Sequence, residues 1–370
     1  MQTLRELLEL MAERRASDLH LTVGSPPQLR IDGRLVRLDG EVLTPDQTKK
    51  LAYSVMNEKQ RKRFEEIWEL DLSFGIENLS RFRCNMFVQR GNVAIAIRQI
   101  PFRIATFEEL GLPKVVADLA NLPRGLVLVT GPTGSGKSTT LAALIDRINR
   151  ERYSHILTVE DPIEYLHRHQ CSIVNQREVH TDTTSFGSAL KYALREDPDV
   201  VLIGEMRDLE TVEAALNISE TGHLAFATLH TNSCAESVNR IIDVFPVNQQ
   251  EQVRVTLSFV LQAIVSQQLI PKIGGGRVVA LEILMCTPAI RATIRDDKIH
   301  QIYSLIQAGQ KFGMRTMNQS LAELYMAHKT TYGDAVARSS SPQELDDMIA
   351  RARDGGVRVR AAAGGERAAV

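Results

Sequence analysis

Residues 131–138 read GPTGSGKS, which fits the pattern G-x-x-x-x-G-K-[ST] of a phosphate-binding loop. An apolar run, residues 126–129, precedes it, and apolar residues at helical spacing follow it. Glycines let backbone N–H groups turn toward phosphates, and a helix N-terminus adds partial positive charge. Lys137 is expected to reach the β- and γ-phosphates, and the Ser138 hydroxyl to bind Mg²⁺. The alternative is a chance glycine-rich turn before a helix. The predicted nucleotide contacts are Gly131, Pro132, Thr133, Gly134, Ser135, Gly136, Lys137, Ser138 and Thr139.

A carboxylate follows the apolar run at residues 200–203. Glu205 comes after Gly204, at the carboxyl edge of the predicted sheet, where ligands of α/β proteins bind. Many P-loop enzymes have Asp at this point. Glu205 is therefore a candidate to polarise the attacking water or to support Mg²⁺ through a water. The alternative is an acid that caps a helix after a buried strand.

Two further segments end apolar runs at the same predicted edge. Residues 160–164 read EDPIE and bring three carboxylates, of which one orients water or metal unless the segment is a solvated turn. His230 follows the run at residues 224–229 and either contacts a phosphate or is a hydrogen-bonded structural histidine.

Four arginines lie in the last predicted strands of the first hundred residues. They are Arg81, Arg83, Arg90 and Arg98. A solvated basic face is the usual meaning of such a group. The alternative is that some are arginine fingers, which reach the γ-phosphate held by another domain or a neighbouring subunit.

The predicted helices and strands that position these residues divide the chain into four segments. Residues 1–99 mix amphipathic helices with short strands, including a hairpin signal at Asp32-Gly33, and predict an α+β domain. Residues 100–113 predict a linker between domains. From there to residue 354, apolar strands alternate with helices in the βαβ pattern of a parallel sheet, and residues 249–268 and 299–327 are predicted helices. Residues 355–370, rich in Gly, Ala and Arg, predict a disordered tail.

The composition of the chain disfavours several classes of function. The chain holds 44 Lys and Arg against 45 Asp and Glu, so no basic excess favours a nucleic-acid partner. No run approaches the ~18 apolar residues of a membrane span, and charges interrupt the N-terminal apolar stretch. We expect a cytoplasmic protein. The four cysteines lack Cys-x-x-Cys spacing, which disfavours a zinc site.

Together the motifs resemble the secretion-superfamily ATPases, and within them the PilT-type retraction ATPases of type IV pili. The resemblance covers about residues 1–350. It rests on an opening SDLHL with a Pro-Pro pair, RGLVLVT before the P-loop, VEDPIE, GEMRD, and TGH followed by TLHT; these are residues 17–21, 26–27, 124–130, 159–164, 204–208, 221–223 and 228–231.

The resemblance implies a fold and a mechanism. The first domain would be PAS-like, and the second RecA-like with extra C-terminal helices. Six chains would form a ring that hydrolyses ATP with Mg²⁺ and returns pilin subunits to the bacterial inner membrane. A membrane platform protein and an accessory retraction ATPase would be partners, at the cytoplasmic side of the pilus base. Glu205 would be the catalytic carboxylate, Glu164 a second essential acid, His230 a phosphate-region residue, and Arg83 and Arg98 the fingers.

One segment departs from the retraction pattern AIRNLIRE. Residues 289–296 read AIRATIRD, which keeps both arginines and both isoleucines but replaces Asn, Leu and Glu. A pilus-assembly or type II secretion ATPase is the near alternative, although such proteins have a longer N-terminal region and a tetracysteine motif. A nucleic-acid translocase and a non-hydrolysing nucleotide-dependent scaffold are alternatives of other classes.

Overall fold

The computed structural model describes residues 3–31, 33–77, 79–100 and 103–365, with side chains in the last helix up to Arg353. The protein has a mixed α/β fold with two sheets. It divides into two compact units, Met1–Arg103 with Glu164–Leu166, and Ile104–Ile163 with His167–Val370. The inclusion of Glu164–Leu166 in the first unit was not predicted from the sequence.

The first unit is an antiparallel sheet with helices on one face. Its six strands lie in the order β3-β2-β1-β6-β5-β4. The strands are β1 (Asp18–Leu21), β2 (Gln28–Ile31), β3 (Arg34–Arg37), β4 (Glu69–Ile76), β5 (Ser80–Gln89) and β6 (Asn92–Ile100). The helices are α1 (Leu4–Glu13), α2 (Pro45–Tyr53) and α3 (Glu58–Ile67).

Alternation along β5 explains the two faces of this sheet. Phe82, Cys84 and Met86 are buried against the helices, whereas Arg81 and Arg83 point to the opposite face. The first unit therefore has one apolar face, which forms its core, and one polar face that carries the arginines.

The second unit is built on a seven-stranded sheet in the order β13-β12-β7-β11-β10-β8-β9. All neighbouring pairs are parallel except β12 and β13. The strands are β7 (Gly125–Thr130), β8 (His155–Glu160), β9 (Ile173–Glu178), β10 (Val200–Ile203), β11 (Leu224–Leu229), β12 (Leu261–Pro271) and β13 (Arg277–Met285). β7, β10 and β11 are buried throughout, as strands covered on both faces require.

Helices cover both faces of this sheet. They are α4 (Phe107–Leu110), α5 (Lys114–Ala117), α6 (Lys137–Glu151), α7 (Phe186–Ala193), α8 (Leu209–Glu220), α9 (Cys234–Asp243), α10 (Val247–Val260), α11 (Pro288–Arg295), α12 (Ile302–Ala308), α13 (Met317–Met326), α14 (Tyr332–Val336) and α15 (Pro342–Gly365), with 3₁₀ turns at Asp118–Asn121, Ile299–Gln301 and Gln310–Phe312. No helix in the described part of the chain is long and apolar enough to cross a membrane.

The helix predicted over residues 249–268 is wrong in its second half, because α10 ends at Val260 and β12 begins at Leu261. Residues 299–327 hold two α-helices rather than one, because α12 ends at Ala308 and a 3₁₀ turn that closes at Gly313, with φ +79°, precedes α13. Helix α15 covers the first part of the tail at 355–370, and the rest lies outside the described residues, so the disordered tail stays a prediction.

Candidate active site

The P-loop joins β7 to α6 and needs glycine for two physical reasons. Gly131, Gly134 and Gly136 have φ of +139°, +78° and +91°, in the region that side chains disfavour. A Cβ on Gly131 would also lie 2.2 Å from the main-chain oxygen of Gln267. The predicted strand–loop–helix context is therefore present, and the glycines serve both conformation and close packing.

Lys137 is the first residue of α6 and is buried. Its Nζ donates to the carbonyl oxygens of Gly131, at 2.8 Å, and Pro132, at 3.2 Å. The ammonium is thus held against the loop at the positive end of a helix, where anions bind. Ser138 and Thr139 follow in the first turn and are partly exposed.

Glu205 lies at the centre of a charged cluster beside the loop. Its Oε2 accepts from Nη2 of Arg207 at 2.7 Å, and its Oε1 lies 3.2 Å from Nε2 of His230. Burial alone would raise the pKa of Glu205, but the hydrogen bond from Arg207 and the charge of His230 outweigh it, so the pKa is below its usual value. Glu205 is therefore held as a carboxylate.

The strand order explains why His230 reaches both neighbours. β11 lies between β7, which leads into the P-loop, and β10, which leads to Glu205. Nδ1 of His230 lies 3.5 Å from Oγ1 of Thr133 in the loop, at the limit of a hydrogen bond. One imidazole therefore links the P-loop to the candidate catalytic carboxylate.

Gly204 lets the end of β10 approach the acidic segment after β8. A Cβ there would lie 3.1 Å from the carbonyl oxygen of Val159 and 3.2 Å from Cα of Glu160. Oε1 of Glu160 accepts from Thr158 at 2.7 Å and from Gln176 at 3.2 Å. The carboxylate of Glu160 therefore accepts hydrogen bonds from β8 and β9, at its own edge of the sheet.

The remaining predicted site residues belong to the first unit. Glu164 is exposed. Arg83 and Arg98 are directly opposite each other on β5 and β6. Nε of Arg98 donates to Asp18 at 2.8 Å, and Asp18 also faces Arg30 at 3.6 Å.

Arg83 differs from Arg98 in its contacts. Among the residues that the structure describes, its guanidinium forms no hydrogen bond or ion pair. Of these two neighbouring arginines, Arg98 is therefore ion-paired and Arg83 is not, among the described residues.

Sequence reasoning assigned no role to two residues that contact this site. Arg207 sits in the GEMRD motif, where its charge beside Glu205 was the available signal. Gln267 is buried in β12 and bonds to the P-loop. The signal for Gln267 was a polar residue inside an apolar run.

Known proteins match this chain over most of its length. The family described as type II/IV secretion system protein matches residues 2–275. The type IV pilus retraction ATPase PilT of Pseudomonas aeruginosa is 53% identical over 340 residues, which cover 92% of this chain and 99% of that protein. A twitching motility protein of Neisseria gonorrhoeae is 50% identical over 299 residues, 80% of each chain.

A solved structure agrees with these sequences. The crystal structure of the pilus retraction motor PilT with bound ADP is 55% identical and covers 94% of this chain and 100% of its own, with a TM-score of 0.89. The chain therefore belongs to the type II/IV secretion system protein family, as an ATPase of its pilus-retraction group.

Proposed function

We propose that this chain binds ATP with Mg²⁺ at the P-loop and uses Glu205 to activate the attacking water. The linkage from Thr133 through His230 to Glu205 carries this proposal, because it joins the loop that binds phosphate to the carboxylate that faces it. An ionised carboxylate can accept a proton from water in the transition state. Arg207 keeps Glu205 in that form.

The residues present fit a magnesium ion bound together with the nucleotide. Mg²⁺ prefers oxygen ligands and keeps several waters, so one protein hydroxyl and the phosphates suffice. The Ser138 hydroxyl forms no hydrogen bond among the described residues and is partly exposed at the start of α6. When bound, Mg²⁺ neutralises charge on the phosphates. Glu205 would support that ion through a water.

The same proposal assigns Lys137 to the β- and γ-phosphates and Glu164 as a second acid. It assigns Arg83 and Arg98 as fingers that stabilise transition-state charge in an assembled ring. Arg83 has its guanidinium uncommitted in the described residues, whereas Arg98 must leave Asp18 to act.

At the level of the machine, we infer a PAS-like domain at residues 1–99, a linker at 100–113 and a RecA-like domain at 114–354. Six copies would form a ring at the cytoplasmic side of the inner membrane. The ring would drive retraction through a platform protein, alongside an accessory retraction ATPase, without contacting nucleic acid. The similarity to proteins named for pilus retraction and twitching motility supports this output.

Two experiments test the proposal. Glu205→Gln should retain ATP affinity and lower turnover at least about 100-fold, a typical loss for a general base; Glu213→Gln, an exposed acid on α8, is the control. Turnover near that of the control would remove Glu205 from the mechanism. In cells, loss of the gene should leave excess surface pili without motility. Absent pili would assign the chain to pilus assembly instead.

A further inference from the structure

Gln267 connects the P-loop to the neighbouring strand through its side-chain amide. It is 1% exposed and lies inside β12. Its Nε2 donates to the carbonyl oxygen of Ser135 at 2.8 Å, and its Oε1 accepts from Oγ1 of Thr140 at 3.0 Å. One amide therefore holds both the loop and the first turn of α6.

The place of Gln267 in the sheet explains this reach. The last register pair between β12 and β7 is Ser266 with Thr130. Gln267 is thus the next residue, at the point where β7 gives way to the P-loop. Its main-chain oxygen also packs where a Cβ on Gly131 would lie. Both the backbone and the side chain of Gln267 support the loop from one side.

We propose that Gln267 is a positioning residue that sets the direction of the Gly136 N–H toward the β-phosphate of the nucleotide. The peptide between Ser135 and Gly136 is trans, and the C=O and N–H of a trans peptide point in opposite directions. Since Gln267 binds the carbonyl of Ser135 on the β12 side, the N–H of Gly136 points away from β12. The backbone N–H groups of a P-loop cradle phosphates on that open side.

The competing view is that the amide only satisfies itself in the core. A buried polar group that loses its partner destabilises a protein whether or not it affects a ligand. The two views differ in what they predict for ligands with and without a β-phosphate. A general loss of structure weakens both, whereas a misdirected Gly136 N–H weakens only the ligand that carries the second phosphate.

This inference rests on the proposed nucleotide site, and binding of Mg²⁺-ADP and of AMP to the full chain tests it by calorimetry. Gln267→Met keeps the volume and removes both hydrogen bonds. We expect ADP affinity to fall about tenfold, the loss of one well-made hydrogen bond, and AMP affinity to stay within about twofold. Gln268→Met, at a part-exposed glutamine one residue further along, should change neither.

The outcomes are separable. Equal losses for ADP and AMP, or no loss for ADP, would overturn the role of Gln267. Absence of ADP binding by the wild-type chain would instead overturn the proposed nucleotide site. If Gln267→Met does not fold, Gln267→Leu replaces it. That variant also removes both hydrogen bonds and leaves a smaller apolar side chain, and the same selective loss of ADP affinity is expected.

Discussion

Replacing Arg291 with methionine should destabilise the second unit because this side chain caps a helix. Its Nη1 donates to the carbonyl oxygens of Ser258, at 2.6 Å, and Phe259, at 2.7 Å, in the last turn of α10. Nη2 adds a bond to Gln262 at 3.2 Å. Carbonyls in a last helical turn lack intrahelical partners, and a cation there also favours the helix dipole.

The magnitude follows from these bonds. A hydrogen bond with a charged donor contributes ~1.5–3 kcal/mol when buried, and the bond to Phe259 is discounted because it is exposed, so we expect a total near 2 kcal/mol. For a unit of this size that lowers the Tm by about 4–8 °C. Methionine preserves the aliphatic stem, so the change reports the guanidinium rather than lost packing.

The matched control lies one turn further along α11. Arg295 is exposed and pairs with Asp296 at 3.2 Å, a surface contact that contributes less than about 0.5 kcal/mol. Scanning calorimetry of both variants, at one protein concentration and pH 7, compares them. Equal Tm values for Arg291→Met and Arg295→Met would refute the capping role.

Three further predictions follow from the same structure. Burial lowers the pKa of His167 to about 4, and its buried Nδ1 has no partner among the described residues, so protonation favours the unfolded chain. The free energy of unfolding should therefore fall by up to about 3 kcal/mol as the pH drops from 6.5 to 4. Urea titrations at several pH values should show a smaller fall in His167→Gln. Gly131→Ala should lower the Tm more than Gly222→Ala, because both glycines have positive φ but only Gly131 would place its Cβ against Gln267; equal Tm losses would contradict the packing argument. Arg207→Met removes a group that lowers the pKa of Glu205, so the acid limb of the ATPase pH profile should move to higher pH. An unmoved limb would show that the ionisation of Glu205 does not control the rate.

The P-loop could be predicted because its requirements are local. Glycine, lysine and serine stand at fixed spacing between an apolar strand and an amphipathic helix, and each is needed for a stated physical reason. Glu205 could be placed at the sheet edge for a similar reason, since it follows a short apolar run. Its proximity to His230 required the strand order, which spacing along the chain does not contain.

β12 was mistaken for helix because its burial hides the usual signal. A strand covered on both faces has no alternation of polar and apolar residues. Leu257, Val260, Leu261 and Ile264 also recur at helical spacing, so the helical pattern of α10 continues into β12. The same error concealed Gln267, because a polar residue within a helix is expected to face solvent.

The structure also changes what the departure at residues 289–296 means. Thr293, where the retraction pattern has leucine, is buried, and its hydroxyl donates to the carbonyl oxygen of Ala289 at 2.9 Å, so this polar group is satisfied inside the unit. Asp296 replaces glutamate and keeps its charge beside Arg295. Ala292 replaces asparagine at a part-exposed position and so removes one amide from the surface of α11. The replacements therefore change one buried side chain, at Thr293, and one polar surface group, at Ala292, while the charged groups keep the signs they have in the pattern.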